Sequence, residues 1–243
     1  MKKILLGLLC AFTLGTQAQV LVGNEAAAVF PNAVEVKVEE GNTFPSYIEL
    51  DAASNVSEES FFAILSNQFL PSTKFSFSLL NSNVDQLGFE HKRYRMYYNG
   101  VEVAYSSLSV HIRNNKVVSA SGNINSVVPS AEVASITEET AKTNALNFVG
   151  ASEYMWEIDK PLNHSQSEFY PKSKLIYLPD YFEGNNTLTL AYVFNIYASI
   201  PLSRELIFVN AQSGKIQFHE NLIHTGGDSR GTAVTAYSDT QNI

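Results

Sequence analysis

Three residues near the end of the chain, His219, Glu220 and His224, have types that could bind and use a metal ion. In zinc proteases of the His-Glu-x-x-His type, two imidazoles lie four residues apart on one helical face, and the glutamate acts as general base. Here, in the stretch HENLIH, the histidines are five residues apart. That spacing separates them by roughly 140° around a helix and places them on opposite faces of a strand. It therefore excludes a single zinc ion held by both.

No other stretch has the pattern of a catalytic or metal site. The sequence has no Gly-x-Ser-x-Gly elbow, no phosphate-binding loop and no dinucleotide fingerprint. Its acidic pairs fall at predicted turns and helix starts, where the helix dipole explains them. We therefore expect no catalytic site, no cofactor and no metal ion bound by this chain itself. The histidines, no two of which have the spacing of a chelating helix, are His91, His111, His164, His219 and His224.

The first residues are typical of a secretory signal peptide. Two lysines precede an apolar run from Ile4 to Leu14. The run is too short to cross a bilayer core of about 30 Å, so we expect residues 1–18 to be cleaved and the remainder to be secreted. The single cysteine, Cys10, lies in this segment, so the mature chain has neither a thiol nucleophile nor a disulfide.

The charge balance restricts the kinds of partner. The formal net charge is −8, from 24 acidic and 16 basic residues. The one basic cluster is HKRYR at residues 91–95. This composition argues against a nucleic-acid partner. No later stretch resembles a transmembrane span, so we expect no membrane association after the signal peptide is removed.

Two segments have the pattern of a capped helix. Ser57 precedes two glutamates and an apolar run at helical spacing, which predicts a helix from about Glu58 to Phe69. Thr137 begins a second helix in the same way, and Gly150 ends it. The side chains predicted to face the core from the second helix are Ala141, Ala145, Phe148 and Val149.

An antiparallel sheet is predicted after each helix. The dipeptides Asn99-Gly100 and Asn114-Asn115 separate runs rich in aromatic and β-branched residues, which indicates tight hairpins. After the second helix, strands are predicted at KLIYLP, TLTLAYVFNIYA, SRELIFVNA and KIQFHENLI. The expected fold is α+β, with two successive modules, each a helix packed on an antiparallel β-sheet. HENLIH falls on the last strand, so the helix that a zinc motif needs is not predicted there.

One strand of the first module carries a row of basic residues. His91, Arg93 and Arg95 alternate on one face of this strand. The row is either an anion-binding or partner-binding surface or, more simply, a solvated sheet face. The residues alone leave both interpretations open.

The stretch from Asp85 to Ile124 resembles the FTP domain, the first part of the pro-region of secreted thermolysin-like and fungalysin-like zinc metalloproteases. The motif of that family is met by His91, Arg93, Gly100 and Val103. The second module, with LAYVFNIYA and ELIFVNAQSGKI, resembles the PepSY-type half of the same pro-region, and the resemblance implies cystatin-like modules. The departures from the family pattern are Met96 for a frequent Gln, Glu102 for Pro, and Asn210 for Asp.

The resemblance also implies an order of segments along the chain. The C-terminal RGTAVTAYSDTQNI resembles the first strand of a mature thermolysin-like catalytic domain, which would continue beyond Ile243 and would hold zinc and calcium. The implied segments are a signal peptide at 1–18, an N-terminal arm or short strands at 19–51, an FTP-like domain at 52–128, a PepSY-like domain at 129–225, and a processing linker with the first catalytic strand at 226–243.

The function implied by the resemblance is that of a pro-region. It would act as intramolecular chaperone and inhibitor of a zinc metalloendopeptidase until proteolysis removes it, and its partner would be the catalytic domain, on the same chain if full-length. We expect the four motif positions to include partner contacts. Bulky Leu222 and Ile223 suit a thermolysin-like cleft, so the predicted processing region is Glu220, Asn221, Leu222, Ile223, His224 and Thr225.

Two alternatives remain. One is a stand-alone secreted protease inhibitor or binding protein built from the same modules. The other is an enzyme in its own right, which would require a bound metal or a cleft where titratable groups converge.

Overall fold

A computed structural model describes residues 18–159, 165, 167–179, 187–223, 232–233 and 241–242. The fold is mixed α+β and consists mostly of strands, as the sequence predicts. It divides into two compact units: the first runs to Ser130 and includes the segment from Tyr177 to Leu188, and the second is formed by the remainder. Almost all of the predicted signal peptide lies outside the described residues, as do His224 and Thr225. Within these ranges, no helix has the length and apolar character needed to span a membrane.

The first unit contains a seven-stranded antiparallel sheet and two helices, α1 (Asn24–Val29) and α2 (Glu58–Phe69). The strand order is β1, β2, β3, β7, β6, β5, β4, which makes β4 an edge strand among the described residues. The strands are β1 (Gln19–Val22), β2 (Ala33–Val38), β3 (Tyr47–Leu50), β4 (Phe75–Val84), β5 (Phe89–Tyr98), β6 (Val101–Arg113) and β7 (Lys116–Asn123).

The first predicted helix is confirmed with its predicted bounds. The Ser57 hydroxyl caps α2 by accepting a hydrogen bond from the Ser60 backbone N–H at 3.2 Å, and both glutamates lie in the first turn. Phe61 and Leu65 are completely buried, so this face of α2 forms part of the core of the first unit. Burial of two large apolar side chains stabilises the docked helix by about 3–6 kcal/mol.

The predicted hairpin turns are also confirmed. Asn99 and Gly100 have φ angles of 47° and 80°, and Asn114 and Asn115 have 52° and 63°. Such positive angles match the right-handed twist of adjoining strands, which is why Asn-Gly favours a two-residue hairpin.

The segment before α2 forms three short strands and a helix, and the sequence analysis did not predict the helix α1. Phe30 and Val36 are fully buried, and β3 pairs with β7 through Ile48 and Ala120. Residues 19–50 therefore belong to the sheet of the first unit.

In the second unit, Thr137 caps α3 (Glu138–Val149), and Gly150 ends it in the left-handed conformation with φ 62°. Ala141 and Ala145 are buried as predicted, but the prediction for Phe148 was wrong: its side chain is 45 % exposed. Phe148 lies beyond the end of the buried stripe and contacts a histidine ring instead.

The other elements are β8 (Glu153–Tyr154), α4 (Met155–Ile158), β9 (Lys174–Pro179), β10 (Leu188–Ile200), β11 (Ser203–Asn210), β12 (Ile216–Asn221) and the pair β13 (Thr232–Ala233) and β14 (Gln241–Asn242). The C-terminal half of β9 belongs to the first unit.

The core of the second unit follows the predicted alternation along β10. Tyr192, Phe194 and Ile196 are buried, whereas the positions between them are more exposed. Asn210 lies at the next turn, and its side-chain oxygen accepts hydrogen bonds from the backbone N–H groups of Gln212 and Ser213, both at 2.9 Å. The Asn210 side chain therefore stabilises the turn.

Candidate functional site

Strand β5 has a buried face and a solvent-facing one. Tyr94, Met96 and Tyr98 point into the core, where the Tyr94 ring meets Phe62 of α2 at 4.8 Å between centroids. Met96 is completely buried, so the position at which the family often has Gln cannot contact a partner directly in this protein.

The opposite surface, which we call the outer face, consists of the outward-pointing residues of β5 and β6. Its cross-strand pairs include His91 with His111, Arg93 with Ser109, and Arg95 with Ser107. On β7 the same rows continue with Ser119, Ser121 and Asn123. Small hydroxyl side chains thus form the floor, and the larger basic side chains of β5 stand along one side of it.

A chain of three hydrogen-bonding side chains lies at one end of the outer face. The Nδ1 atoms of His91 and His111 lie 2.6 Å apart, and the Nε2 atom of His91 lies 3.0 Å from Asp85 Oδ2. The hydrogen bond from His91 and those from the backbone N–H groups of Phe89 and Leu87 hold the pKa of Asp85 below its usual value. Burial, and then the charge of His91, lower the pKa of His111.

Arg93 differs from the other outer-face cations because its guanidinium has no hydrogen-bond or salt-bridge partner in the part of the chain that the structure describes. Arg95 lies 3.4 Å from a Glu102 carboxylate oxygen, and Arg113 lies over the Phe89 ring at 4.9 Å. Arg93 is exposed, so its fork of N–H donors is available to a carboxylate from another molecule or domain.

Gly100 and Val103, the remaining motif positions, have structural roles. Gly100 is the second residue of the β5–β6 turn, with φ 80°. Val103 is 1 % exposed and pairs with Tyr177 of β9, so its side chain contributes to the core of the first unit. Of the four motif residues, only His91 and Arg93 reach the outer face.

On the helix side of β5, an ionic cluster attaches the first turn of α2 to the sheet. Lys92 Nζ lies 2.6 Å from one Glu58 carboxylate oxygen, and the Tyr94 hydroxyl donates a hydrogen bond to the other. Burial would raise the pKa of Glu58, but the hydrogen bonds from Lys92 and Tyr94 outweigh it and lower that pKa. Burial and the bond to Glu58 raise the pKa of Tyr94. These three groups satisfy one another and fix the helix, so they are suited to stability more than to catalysis.

The predicted processing region begins on β12 and leaves the sheet. Residues 219–221 are exposed, and His219 Nδ1 lies 2.9 Å from Glu205 Oε2. The Leu222 backbone N–H still donates to Arg204 O at 2.7 Å, and Leu222 and Ile223 are half-buried. HENLIH is therefore the end of a strand up to Asn221, as the alternation predicts, and no three His, Cys, Asp or Glu side chains of the described residues cluster as metal ligands would.

The β4–β7 meander matches a known family motif. Residues 75–124 match the Fungalysin/Thermolysin Propeptide Motif. The match begins at the first residue of β4 and ends one residue after β7, so it covers all of the outer face. It comprises 50 of the 243 residues and does not extend to the second unit.

No curated protein matches the chain in sequence. Among solved structures, the C-terminal domain of YpeB from Bacillus megaterium is similar over 85% of this chain and 83% of its own, at 14% identity and a TM-score of 0.34. A likeness at that score carries no argument about function.

Proposed function

We propose that this chain is the pro-region of a secreted thermolysin-like zinc metalloendopeptidase, and that it assists folding of the catalytic domain and inhibits it until proteolysis removes the pro-region. The propeptide motif at residues 75–124 is the observation that carries the proposal. The finer organisation belongs to the same proposal: an FTP-like domain at 52–128 and a PepSY-like domain at 129–225, each a cystatin-like helix on a sheet.

The proposed mechanism requires binding energy and no catalytic group of the chain's own. A protein that binds the native catalytic domain but not its unfolded form stabilises the native state by mass action. A covalent link raises the effective concentration of the pro-region to about millimolar, so modest contacts suffice while the chain is intact. Cleavage removes this advantage, and the mature enzyme then persists because its unfolding is slow.

The outer face is the surface that we assign to the catalytic domain. It lies within the motif, its floor of serines allows close approach, and Arg93 offers an unpaired guanidinium. An arginine whose partner is supplied by the other domain would fix orientation through two parallel hydrogen bonds to a carboxylate.

We assign cleavage to the segment from Glu220 to Thr225. In the described part of it, Glu220 and Asn221 pair with β11, and the Leu222 backbone N–H donates to Arg204 O just beyond this pairing. Leu222 and Ile223 therefore lie at the end of the strand, where local opening presents them to a protease. Amino-terminal sequencing of the processed secreted protein tests this assignment. A new terminus between residues 221 and 226 is expected, and a terminus far from this window would refute the assignment.

Inhibition in trans tests the proposal as a whole. The secreted chain is added to the active thermolysin-like metalloprotease of the same organism, and peptide hydrolysis is followed. We expect inhibition that reaches completion near equal concentrations, with trypsin, a serine protease, unaffected. Absence of inhibition at a hundredfold excess of the chain would contradict the proposal. A stand-alone inhibitor would pass this test, and the coding sequence after Ile243 separates the two: a pro-region is followed by a His-Glu-x-x-His helix.

A further inference from the structure

The histidine pair on the outer face has the geometry of two metal ligands. His91 and His111 lie directly opposite each other on β5 and β6, and their rings meet at 4.8 Å between centroids with an interplanar angle of 76°. Their Nδ1 atoms are 2.6 Å apart, so at most one proton fits between them. Loss of that proton leaves an imidazole lone pair on each of two adjacent nitrogen atoms.

Asp85 provides the support that a metal-binding histidine usually has. Its Oδ2 atom lies 3.0 Å from His91 Nε2, and its Oδ1 atom accepts hydrogen bonds from the backbone N–H groups of Leu87 at 2.8 Å and Phe89 at 2.9 Å. The carboxylate is thereby fixed by the turn before β5. It holds the proton of His91 on Nε2 and leaves Nδ1 with a free lone pair, as in carboxylate–histidine–metal arrangements.

We propose that His91 and His111 bind a divalent copper ion through their two Nδ1 atoms in adjacent positions of a square plane, with water in the remaining positions. With metal–nitrogen distances of about 2.0 Å, adjacent ligands of a square-planar ion lie about 2.8 Å apart, whereas those of a tetrahedral zinc ion lie about 3.3 Å apart. The two Nδ1 atoms, which lie 2.6 Å apart, would have to move apart much less to bind copper than to bind zinc.

The described residues offer the ion two protein ligands. No third His, Cys, Asp or Glu side chain among them completes a metal-binding cluster, so the remaining coordination positions are assigned to water. Arg93 and Arg113 lie on the same face and weaken cation binding, whereas Asp85 strengthens it. Copper forms the most stable complexes of the divalent first-row metals with nitrogen ligands, so the proposed order of affinity is copper, then nickel, then zinc.

The test is a copper titration of the secreted chain, prepared without a polyhistidine tag, by calorimetry and electron paramagnetic resonance at pH 7.5. We expect one copper ion with coupling to two imidazole nitrogens, and affinity at least tenfold weaker in His91→Gln and in His111→Gln. Asp85→Asn should weaken binding about tenfold. The control His219→Gln removes a histidine that is bonded to Glu205 outside the outer face and should leave the affinity unchanged.

Circular dichroism shows first that each variant is folded. The proposal is overturned if copper binding in His91→Gln and His111→Gln equals that of the unsubstituted chain, if the spectrum lacks two-nitrogen coupling, or if zinc binds more tightly than copper. Because copper binding is measured on the chain alone, the result does not depend on whether the chain is a protease pro-region.

Discussion

Arg93 is the side chain through which the proposed partner contact is most directly tested. Its guanidinium has no partner among the described residues, whereas neighbouring cations of the outer face are paired or stacked within the chain. If a carboxylate of the catalytic domain pairs with it, Arg93→Glu replaces an attraction by a repulsion. We expect the inhibition constant to rise by at least tenfold, since truncating one member of an interfacial charge pair costs about 2 kcal/mol or more.

A matched charge reversal controls for long-range electrostatics. Lys172, an exposed residue of the second unit, is not part of the outer face, so Lys172→Glu changes the net charge equally and should change the inhibition constant less than threefold. Equal losses in the two variants would mean that net charge, and not a contact at Arg93, determines affinity.

The ionisation of Glu58 makes the stability of the protein depend on pH. The bonds from Lys92 and Tyr94 lower its pKa in the folded protein. The contribution of the Glu58 carboxylate to the free energy of unfolding is therefore complete above the pKa of the unfolded chain, about 4.3, and is lost as the pH falls through the lower pKa of the folded protein. Glu58→Gln should reduce the free energy of unfolding by about 1–2 kcal/mol at pH 7, because it removes charged hydrogen bonds of a half-exposed cluster.

Urea unfolding at several pH values measures this effect. As the pH falls below about 4.3, the difference in the free energy of unfolding between Glu58→Gln and the unsubstituted protein should shrink, and it should disappear below the folded pKa of Glu58. Glu59→Gln is the control, since Glu59 shares the first turn of α2 and its dipole but lies outside the cluster with Lys92 and Tyr94. If the free energies of unfolding of Glu58→Gln and the unsubstituted protein differed by the same amount from pH 7 to pH 3, the cluster would not titrate as described.

At the scale of the elements, helices and turns were predictable because their signals are local. Ser57 and Thr137 mark helix starts by capping, and Asn99-Gly100 marks a turn by its positive φ angles. Each of these features depends on a few adjacent residues, so each can be inferred without knowledge of the partner strand.

The pairing of His91 with His111 was not predictable for a physical reason. A two-residue turn at Asn99 and Gly100, extended without irregularity, would place His91 opposite Leu108. The structure has a β-bulge between Arg95 and Tyr97, which shifts the register by three residues and brings the two imidazoles together. Nothing in the local sequence fixes the size of such a shift, so the histidine pair and its link to Asp85 could be found only in the structure.

The variant Gly122→Ala tests how closely β6 and β7 approach each other. A Cβ atom at this position would lie 2.3 Å from the Ser107 carbonyl oxygen and 3.0 Å from Leu108 Cα, which are backbone atoms that cannot move aside without separating the strands. We expect Gly122→Ala to lower the free energy of unfolding by about 3 kcal/mol, at the upper end of overpacking effects. Urea denaturation measures the loss.

The comparison variant is Gly41→Ala. Gly41 has a φ of 75° and no atom within 4 Å of its Cβ position, so only backbone strain of about 1 kcal/mol is expected. A loss for Gly41→Ala that equals or exceeds that for Gly122→Ala would contradict the explanation by close strand approach.

At the scale of the whole molecule, the α+β class follows from alternating patterns, but the division into units does not follow the order of the chain. The segment from Tyr177 to Leu188 belongs to the first unit although it follows α3 of the second. Its tie to β6 is the parallel pairing of Val103 with Tyr177, a contact between residues 74 positions apart. Contacts at such distances depend on tertiary packing, which no window of sequence reports.

We propose that this chain is a folding helper and inhibitor of a thermolysin-like protease. The most direct measurement is the yield of active enzyme when the denatured catalytic domain of that protease is refolded alone and with the secreted chain added in equimolar amount, assayed after the chain has been digested away. We expect at least a tenfold higher yield with the chain and a smaller gain with Arg93→Glu. Equal yields with and without the chain would contradict it.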